Sequence, residues 1–404
     1  MRITDIRKER TDTSVRAIGS VEFEDSDRPR TEVSYEVPPE FEDSLVANPD
    51  AFLVGAVLPA ARNGERRVAV DGEVCPRVAN GVVDALHWLA HWWGPSWRKL
   101  QVEAKPRPQP LARQGGRRTA LFLSGGVDSM AALRLNRLRV PRTHPASIAD
   151  GILVRGFSKR DDLNFAPALE GGRAVAEDTG ITLVPVATNV RMLDRDSDFW
   201  VWQFHSAALC SAAHVLVDRI STIHLASSYD VPNVEPVGSH PVLDPNYASY
   251  ELAVLHDGVQ LSRMAKTKIV AEWPAGLANL RVCTARPEIG ARNCGRCEKC
   301  VRTRLQLLAL GAAVPDATFG TRPLTPESIA DISIHTKYGA MCYTDCIDGL
   351  ERQGMHDLAR AARRAADDYY RRMRPPGVKD RLRQFDRRVL GGTLVRMRSL
   401  VRAS

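Results

Sequence analysis

The sequence lacks several features that would assign it to a specialised class of protein. No apolar run approaches the ~18–20 residues of a membrane-spanning helix, and the charged residues 1–10 are not typical of a secretory signal. We find no low-complexity block, no internal repeat of about 20–50 residues, and no RRM, KH or helix-turn-helix signature. Hydrophobic residues make up 44% and charged residues 26% of the 404 residues. These fractions predict an ordinary globular protein long enough for two or three domains.

Cysteine is too sparse, and too unevenly placed, for a secreted disulfide framework. The chain has 8 cysteines, and three of them lie within residues 294–300. Such clustering is typical of metal ligands in a reducing compartment. We therefore expect a cytoplasmic location.

Net positive charge is confined to one segment. Residues 355–404 contain fourteen Arg or Lys and five Asp, whereas the whole chain has a net charge of +8. The rest of the chain is therefore close to neutral, and charge gives no argument for nucleic acid as a substrate there. The basic tail continues past Pro375 as an amphipathic pattern over residues 380–402. This pattern is typical either of a helix that binds an anionic surface or of a helix that docks on the protein itself.

The pattern of apolar residues predicts three regions in an α/β protein. Residues 1–110 read as a smaller α+β domain, followed by a Pro/Gly/basic linker near residues 105–117. Residues 111–315 alternate apolar strands with helices, which predicts a parallel sheet whose fifth strand covers residues 280–283. Residues 316–404 read as a helical region that ends in the basic tail. Substrate recognition, partner binding and homodimer formation all remain open roles for the N-terminal domain.

The most informative segment is Ser-Gly-Gly-Val-Asp-Ser at residues 124–129, between a predicted strand and a predicted helix. Two glycines allow successive backbone N–H groups to point into one concavity, and a helix N-terminus adds further donors. Hydroxyl groups of Ser124 and Ser129 can donate to phosphate oxygens, and Asp128 can hold Mg²⁺. These features predict a phosphate cradle. The plain alternative is a glycine-rich turn between a strand and a helix.

The motif lacks the spacing of the Walker loop and of the dinucleotide fingerprint. It resembles the PP-loop of the ATP pyrophosphatase superfamily, whose members grip the β,γ-pyrophosphate of ATP and adenylate a substrate oxygen. The resemblance implies an ATP site formed by a run of six residues: Ser124, Gly125, Gly126, Val127, Asp128 and Ser129.

A second motif, Cys283-x10-Cys294-x2-Cys297-x2-Cys300, has the spacing of a metal site. Two-residue spacers allow consecutive thiolates to converge on one ion, and four sulfurs without an open position describe a structural site. Softness of the ligands leaves Zn²⁺ and an iron–sulfur cluster open.

Together the two motifs resemble the 7-cyano-7-deazaguanine synthase family within the PP-loop superfamily, over roughly residues 118–310. The resemblance implies Zn²⁺ on the four cysteines and a ligase that adenylates a carboxylate or amide, then forms an amide or nitrile with ammonia. The sequence departs from that family in a longer spacer after Cys283 and in an extra domain before the PP-loop. Its purine-binding residues cannot be aligned, so the substrate is not implied.

The remaining site predictions follow from the expected sheet. Ligands of such sheets bind beyond the carboxyl ends of the strands, so we expect adenine near Val154 and Gly156 at the end of the second strand. Adenylation needs positioning and charge neutralisation, for which we predict Asp128 with Mg²⁺ and a cation, Lys268 in preference to Lys266 or Arg263.

Two weaker constellations and two other functions complete the predictions. We expect His205 to pack in the core or to form a hydrogen bond. Residues 237–258 could overhang the ATP site and supply an acid or a base, or they could form an ordinary loop. Sulfur transfer to RNA or a small molecule is one alternative function. A non-catalytic ATP sensor docked by its basic tail is the other.

Overall fold

A computed structural model of the chain describes residues 1–111, 116–157, 161–288 and 290–374. Within these ranges, ten strands form a single mixed sheet with the order β10-β9-β6-β7-β8-β3-β2-β1-β4-β5. The strands are β1 (Arg2–Arg10), β2 (Val15–Glu22), β3 (Thr31–Val37), β4 (Arg67–Val74), β5 (Gln101–Pro106), β6 (Arg118–Phe122), β7 (Ile148–Arg155), β8 (Thr182–Thr188), β9 (Ile220–Ala226) and β10 (Ala253–Asp257).

Helices cover the sheet and form most of the C-terminal region. They are α1 (Pro49–Arg62), α2 (Pro76–Trp93), α3 (Val127–Arg139), α4 (Asp161–Thr179), α5 (Ser197–Phe199), α6 (His205–His214), α7 (Arg263–Ala271), α8 (Pro274–Ala278), α9 (Glu298–Ala309), α10 (Asp316–Phe319), α11 (Pro326–Ala330), α12 (Lys337–Thr344), α13 (Ile347–Arg352) and α14 (His356–Met373). No described helix combines the length and apolar character needed to cross a membrane.

The five strands from β10 to β8 run parallel, and β6 lies at their centre. Residues 120–123 are buried, as expected for a strand with packed helices on both faces. The predicted α/β class with a largely parallel sheet is confirmed. The carboxyl ends of β6, β7 and β9 meet at one edge, and the segments that leave this edge build the site.

The strands of residues 1–110 extend this same sheet. β3 pairs antiparallel with β8 through Tyr35 and Glu36, and the Tyr35 hydroxyl donates to Ser211 Oγ at 2.9 Å. Buried side chains from α1, α6, β3 and β8 belong to one hydrophobic cluster. The predicted linker at 105–117 includes the end of β5 and residues 112–115, which lie outside the described residues.

The predicted strand at residues 280–283 is wrong, and β10 is the fifth parallel strand instead. The backbone of 280–283 bonds to other groups. Asn293 Oδ1 accepts the N–H groups of Val282 (2.8 Å) and Cys283 (3.3 Å), and Arg281 N donates to Gly125 O at 2.8 Å. These bonds occupy the groups that a ladder would need. The predicted tail helix at 380–402 lies outside the described residues.

Candidate functional site

The Ser-Gly-Gly-Val-Asp-Ser segment forms a tight loop at the carboxyl end of β6. Gly125 has a φ of +77°, a backbone conformation that favours glycine. Ser124 Oγ lies 3.2 Å from Ser129 Oγ, and Ser129 Oγ donates to Gly126 O at 3.1 Å. Gly126 is the N-cap of α3 and supplies no side-chain cap. The N-terminal donors of α3 therefore remain available to an anion.

Asp128, in the first turn of α3, lies between two cations from α7. Its Oδ2 accepts from Arg263 Nη1 at 2.8 Å, and its Oδ1 lies 3.7 Å from Lys266 Nζ. Asp128 Oδ1 is buried without a hydrogen-bond partner among the described residues. A carboxylate oxygen without a hydrogen-bond partner, beside the uncapped N-terminus of α3, fits a Mg²⁺ ligand, because Mg²⁺ usually binds one or two carboxylates together with substrate phosphates.

Lys266 is the buried cation of this site. Its side chain is 2% exposed, and its Nζ donates to Ser227 O at 2.6 Å, at the end of β9. Burial lowers the pKa of Lys266, while Asp128 opposes that shift. The ammonium group is therefore held between the loop at residues 124–129 and the edge of the sheet.

Lys268, the cation predicted from the sequence, lies elsewhere. Its side chain is 62% exposed and pairs with Glu272 at 3.8 Å on the same helix. Helical geometry explains the difference. Arg263 and Lys266 are three residues apart and share one face of α7, whereas Lys268 is turned by about 200° from Lys266. The structure therefore corrects this prediction in favour of Lys266 and Arg263.

The loop at residues 124–129 opens into a cleft of about 620 Å³. The walls of the cleft come from this loop, the segment after β9, the first turns of α7 and α9, and residues 334–339 of the C-terminal region. Its charged lining is mainly basic: Arg263, Arg281, Lys299 and Arg302, against Asp128 and Glu298. Such a lining is complementary to a polyphosphate.

The C-terminal region also contributes aromatic surface to the cleft. Tyr338, in α12, lies over Tyr229 with ring centroids 4.7 Å apart. Burial raises the pKa of both phenols, which therefore remain neutral donors. Arg372, near the end of α14, donates to the backbone of Ile334 in the cleft wall at 3.0 Å.

The four cysteines of the second motif converge beside this cleft. Their sulfur atoms all lie within 4.8 Å of one another, with Cys294–Cys300 at 3.8 Å and Cys297–Cys300 at 3.5 Å. A tetrahedral ion with metal–sulfur bonds of about 2.3 Å needs sulfurs about 3.8 Å apart. The cluster could therefore hold a metal ion such as zinc. Cys283 also lines the cleft, so the two motifs share one site.

The surroundings of the sulfurs suit bound thiolates. The backbone N–H groups of Cys294 and Cys297 each donate to a sulfur at 3.4 Å. S–H donation from Cys297 and Cys300 lowers the pKa of Cys283, and the resulting thiolate raises the pKa of Cys297 and of Cys300. Four packed sulfurs can lose all their protons only when a cation compensates the charge.

A second group of potential ligands, Asp50, Cys75 and Glu251, is buried elsewhere. Arg107 Nη2 donates to Asp50 at 2.8 Å and to Glu251 at 3.0 Å. The guanidinium group thus supplies the positive charge that balances the two carboxylates, and we regard this cluster as an ion-pair network that joins the segment after β5 to α1 and to the segment before β10.

Val154 and Gly156, the predicted adenine contacts, lie at the correct edge of the sheet but outside the cleft wall. Val154 pairs with Val186 of β8 and packs on the core. Gly156 has a φ of +111°, and a Cβ there would lie 1.6 Å from Thr188 O. Among the described residues, neither lines the cleft.

The segment 237–258, which ends in β10 and which the sequence predicts as a loop, is held mostly by bonds within itself. The buried carboxylate of Asp244 accepts hydrogen bonds from Ser239 Oγ (2.7 Å), from His240 N (3.1 Å) and from His256 Nδ1 (2.8 Å). Only Val237 and Ser239 of this segment line the cleft, as far as the described residues show. The predicted overhang is thus a small one.

His205, Trp200 and Val201 also line the cleft. The expected hydrogen bonding of His205 is confirmed, because its Nδ1 lies 3.2 Å from Trp200 O, but the sequence does not predict that His205 lines the cleft. A five-residue π-turn, Trp200–Phe204, precedes α6 and turns these side chains to the cleft. Residues 334–339 were missed as well, since no local signal shows which distant helix will cover a loop.

Comparison with protein-family models, with curated proteins and with solved structures yields no significant match to this chain. The site is therefore interpreted from its geometry.

Proposed function

We propose that this chain is an ATP-dependent ligase that adenylates a carboxylate or amide oxygen and then forms a carbon–nitrogen bond. The observation that carries the proposal is one cleft that combines the PP-loop with a mainly basic lining. An uncapped helix N-terminus, two hydroxyl groups and cations around Asp128 are the groups that bind a pyrophosphate.

Each group has a role in this proposal. Residues 124–129 hold the β,γ-phosphates of ATP, and Asp128 holds Mg²⁺ through its orphaned oxygen. Arg263 and Lys266 neutralise the pyrophosphate that leaves when a substrate oxygen attacks the α-phosphorus. Catalysis of this kind depends on positioning and electrostatic stabilisation.

Zinc is the proposed ion of the four cysteines, in a structural role. Cys283 connects the metal site to the cleft wall, and Asn293 binds the backbone of the same segment. A closed four-sulfur site offers no open position for chemistry. Zinc would fix the cleft wall and take no part in the reaction.

The distribution of cysteines favours nitrogen transfer over sulfur transfer. Cys283, a member of the quartet, is the only cysteine in the cleft wall among the described residues. Cys75, Cys210, Cys342 and Cys346 are free, buried thiols, and such thiols are unreactive. Ammonia or an amine is therefore the proposed nucleophile. The four buried free thiols, together with a quartet proposed to bind metal, also support the proposed cytoplasmic location.

Pyrophosphate release tests the proposal. Purified protein with ATP, Mg²⁺, ammonia and a panel of small carboxylates should release pyrophosphate and AMP in equal amounts, and Asp128→Asn should abolish the release. Tight ATP binding without pyrophosphate release, across the panel and a small-molecule extract of cells, would favour the alternative of a non-catalytic ATP sensor.

Truncation before Pro375 should leave ATP binding intact and reduce salt-sensitive retention on heparin if the basic tail binds anionic surfaces.

A further inference from the structure

His205 occupies an unusual place in the cleft wall. It is the first residue of α6 and directly follows the π-turn Trp200–Phe204. π-turns inside helices are frequent at functional sites because the extra residue redirects neighbouring side chains. Here Trp200, Val201 and His205 all line the cleft that contains the PP-loop.

The hydrogen bonds of His205 determine its tautomer. Its Nδ1 lies 3.2 Å from Trp200 O and 3.1 Å from Val201 O. Carbonyl oxygens only accept, so Nδ1 carries the proton and the neutral ring has its lone pair on Nε2. The structure gives Nε2 no partner among the described residues, and the ring is only half-buried.

A glycine at position 238 leaves room for this ring. A Cβ at Gly238 would lie 2.6 Å from His205 Nδ1, and Gly238 N donates to Val201 O at 3.2 Å. Burial lowers the pKa of His205, and His256 adds to that shift, whereas Asp244 opposes it. These surroundings favour a neutral imidazole near neutral pH.

The two carboxylates that line the cleft are already ion-paired. Asp128 is held by Arg263 and Lys266, and Glu298 lies 3.4 Å from Arg302. A nitrogen nucleophile must lose a proton when it attacks, and an ion-paired carboxylate is a poor acceptor for that proton. His335 is the other histidine of the cleft wall and is exposed.

We propose that His205 is the general base for the amine in the second step of the reaction. This inference rests on the proposed ligase function. The amine nitrogen attacks the acyl carbon of the adenylate and forms the C–N bond, and His205 Nε2 takes one N–H proton. The acyl C–O bond then breaks, and its electron pair leaves on AMP. General bases of this kind contribute about 10²–10⁴-fold to a rate.

The test separates the two steps in one preparation. Exchange of labelled pyrophosphate into ATP, with the carboxylate panel, reports adenylation, and the amide product formed from added ammonia reports transfer. In His205→Asn the side-chain amide can replace the Nδ1–H donor, but no base remains. We expect exchange to stay within about twofold while formation of the amide product falls about 100-fold. Free imidazole should restore transfer in His205→Ala, and exposed His144→Asn should behave as wild type.

Three outcomes would overturn the proposal. Unchanged transfer in His205→Asn, or its loss in His335→Asn instead, would remove the role of His205. An equal loss of exchange and transfer without imidazole rescue would indicate a structural residue. A wild-type protein that exchanges no pyrophosphate with any carboxylate would refute the ligase function itself, and the role of His205 with it.

A second measurement needs no substrate. Nitrogen-15 NMR of the imidazole rings, assigned with His205→Asn, should show Nδ1 protonated and Nε2 bare near neutral pH. Gly238→Ala should disturb this signal and reduce transfer more than exchange. A protonated Nε2 in the neutral ring would overturn the proposal even where adenylation is intact.

Discussion

Gly125 illustrates how one residue determines the shape of the site. Its φ of +77° lets the loop turn between β6 and α3, and its carbonyl oxygen accepts from Arg281 N. An L-residue in this conformation costs about 1–2 kcal/mol. The strain would fall on the loop that is proposed to hold pyrophosphate.

Gly125→Ala should therefore weaken ATP binding about tenfold or more, since 1.4 kcal/mol corresponds to a factor of ten. Gly64 is a matched control because its φ is +79° and a Cβ there would contact nothing within 4 Å. Gly64→Ala should lose similar unfolding free energy with unchanged ATP affinity. Calorimetric titration with ATP and urea denaturation measure the two effects. Equal affinities in both variants would contradict a phosphate role for the loop.

Lys266 and Lys268 provide a second residue-scale test because they lie two positions apart with opposite surroundings. Lys266→Met removes a buried ammonium beside Asp128 and should reduce AMP formation about 10²–10³-fold. Lys268→Met removes an exposed pair and should stay close to the wild-type rate. The reverse order of rates would restore the role that the sequence predicted for Lys268.

At the scale of elements, the segment 280–283 shows where sequence patterns stop being informative. Its apolar residues have strand character, yet its backbone N–H groups donate hydrogen bonds to the loop at residues 124–129 and to the side chain of Asn293. Asn293 is fully buried and also donates to Leu280 O (2.8 Å) and Thr318 O (2.9 Å). No sequence motif shows that a distant side chain will take the place of a neighbouring strand. The Ser-Gly-Gly-Val-Asp-Ser motif and the cysteine spacing, in contrast, can be recognised in the sequence itself.

Asn293→Leu should lower the unfolding free energy by about 2–4 kcal/mol, since it leaves several buried backbone groups without partners. It should also weaken zinc retention, because the same segment carries Cys283. Asn136→Leu is the comparison, since Asn136 makes two backbone bonds far from the cysteines. It should lose stability but keep zinc. Urea denaturation and a metal assay after mild chelation distinguish the two. Unchanged zinc retention in Asn293→Leu would show that the metal site is independent of this segment.

At the scale of the whole molecule, one sheet joins the N-terminal strands to the parallel strands around residues 124–129. The sequence predicts β6, β7, β8 and β9 because each is a short apolar run, but it assigns the residues of β10 to a loop-rich stretch. It cannot predict the β3–β8 pairing, which depends on two edges that meet only in the folded chain. For the same reason, the sequence does not predict that residues 334–339 cover the cleft. The two motifs of the site could be predicted from the sequence, while the choice of Lys266 over Lys268 and the place of His205 in the cleft wall required the tertiary structure.

Stability should fall as the pH drops below about 6.5. Burial lowers the pKa of His205, His214 and His240 from 6.5. The unfolded chain therefore binds protons in a range where the folded chain does not, and stability present above pH 6.5 is lost as the pH approaches the lower folded values. Urea midpoints at pH 7.5 and pH 5.5 measure the effect. His214→Asn should reduce this dependence, while exposed His144→Asn should leave it unchanged. A midpoint that does not fall at pH 5.5 would contradict neutral burial of these rings.

The most direct measurement of the central claim is the identity of the nucleotide products. The protein is incubated with ATP, Mg²⁺ and a small-molecule extract of cells, and the products are separated by ion exchange. Cleavage at the α-phosphorus predicts AMP and pyrophosphate in equal amounts, lost in Asp128→Asn. Products of ADP and inorganic phosphate would contradict a pyrophosphate cradle at residues 124–129 and an adenylating enzyme.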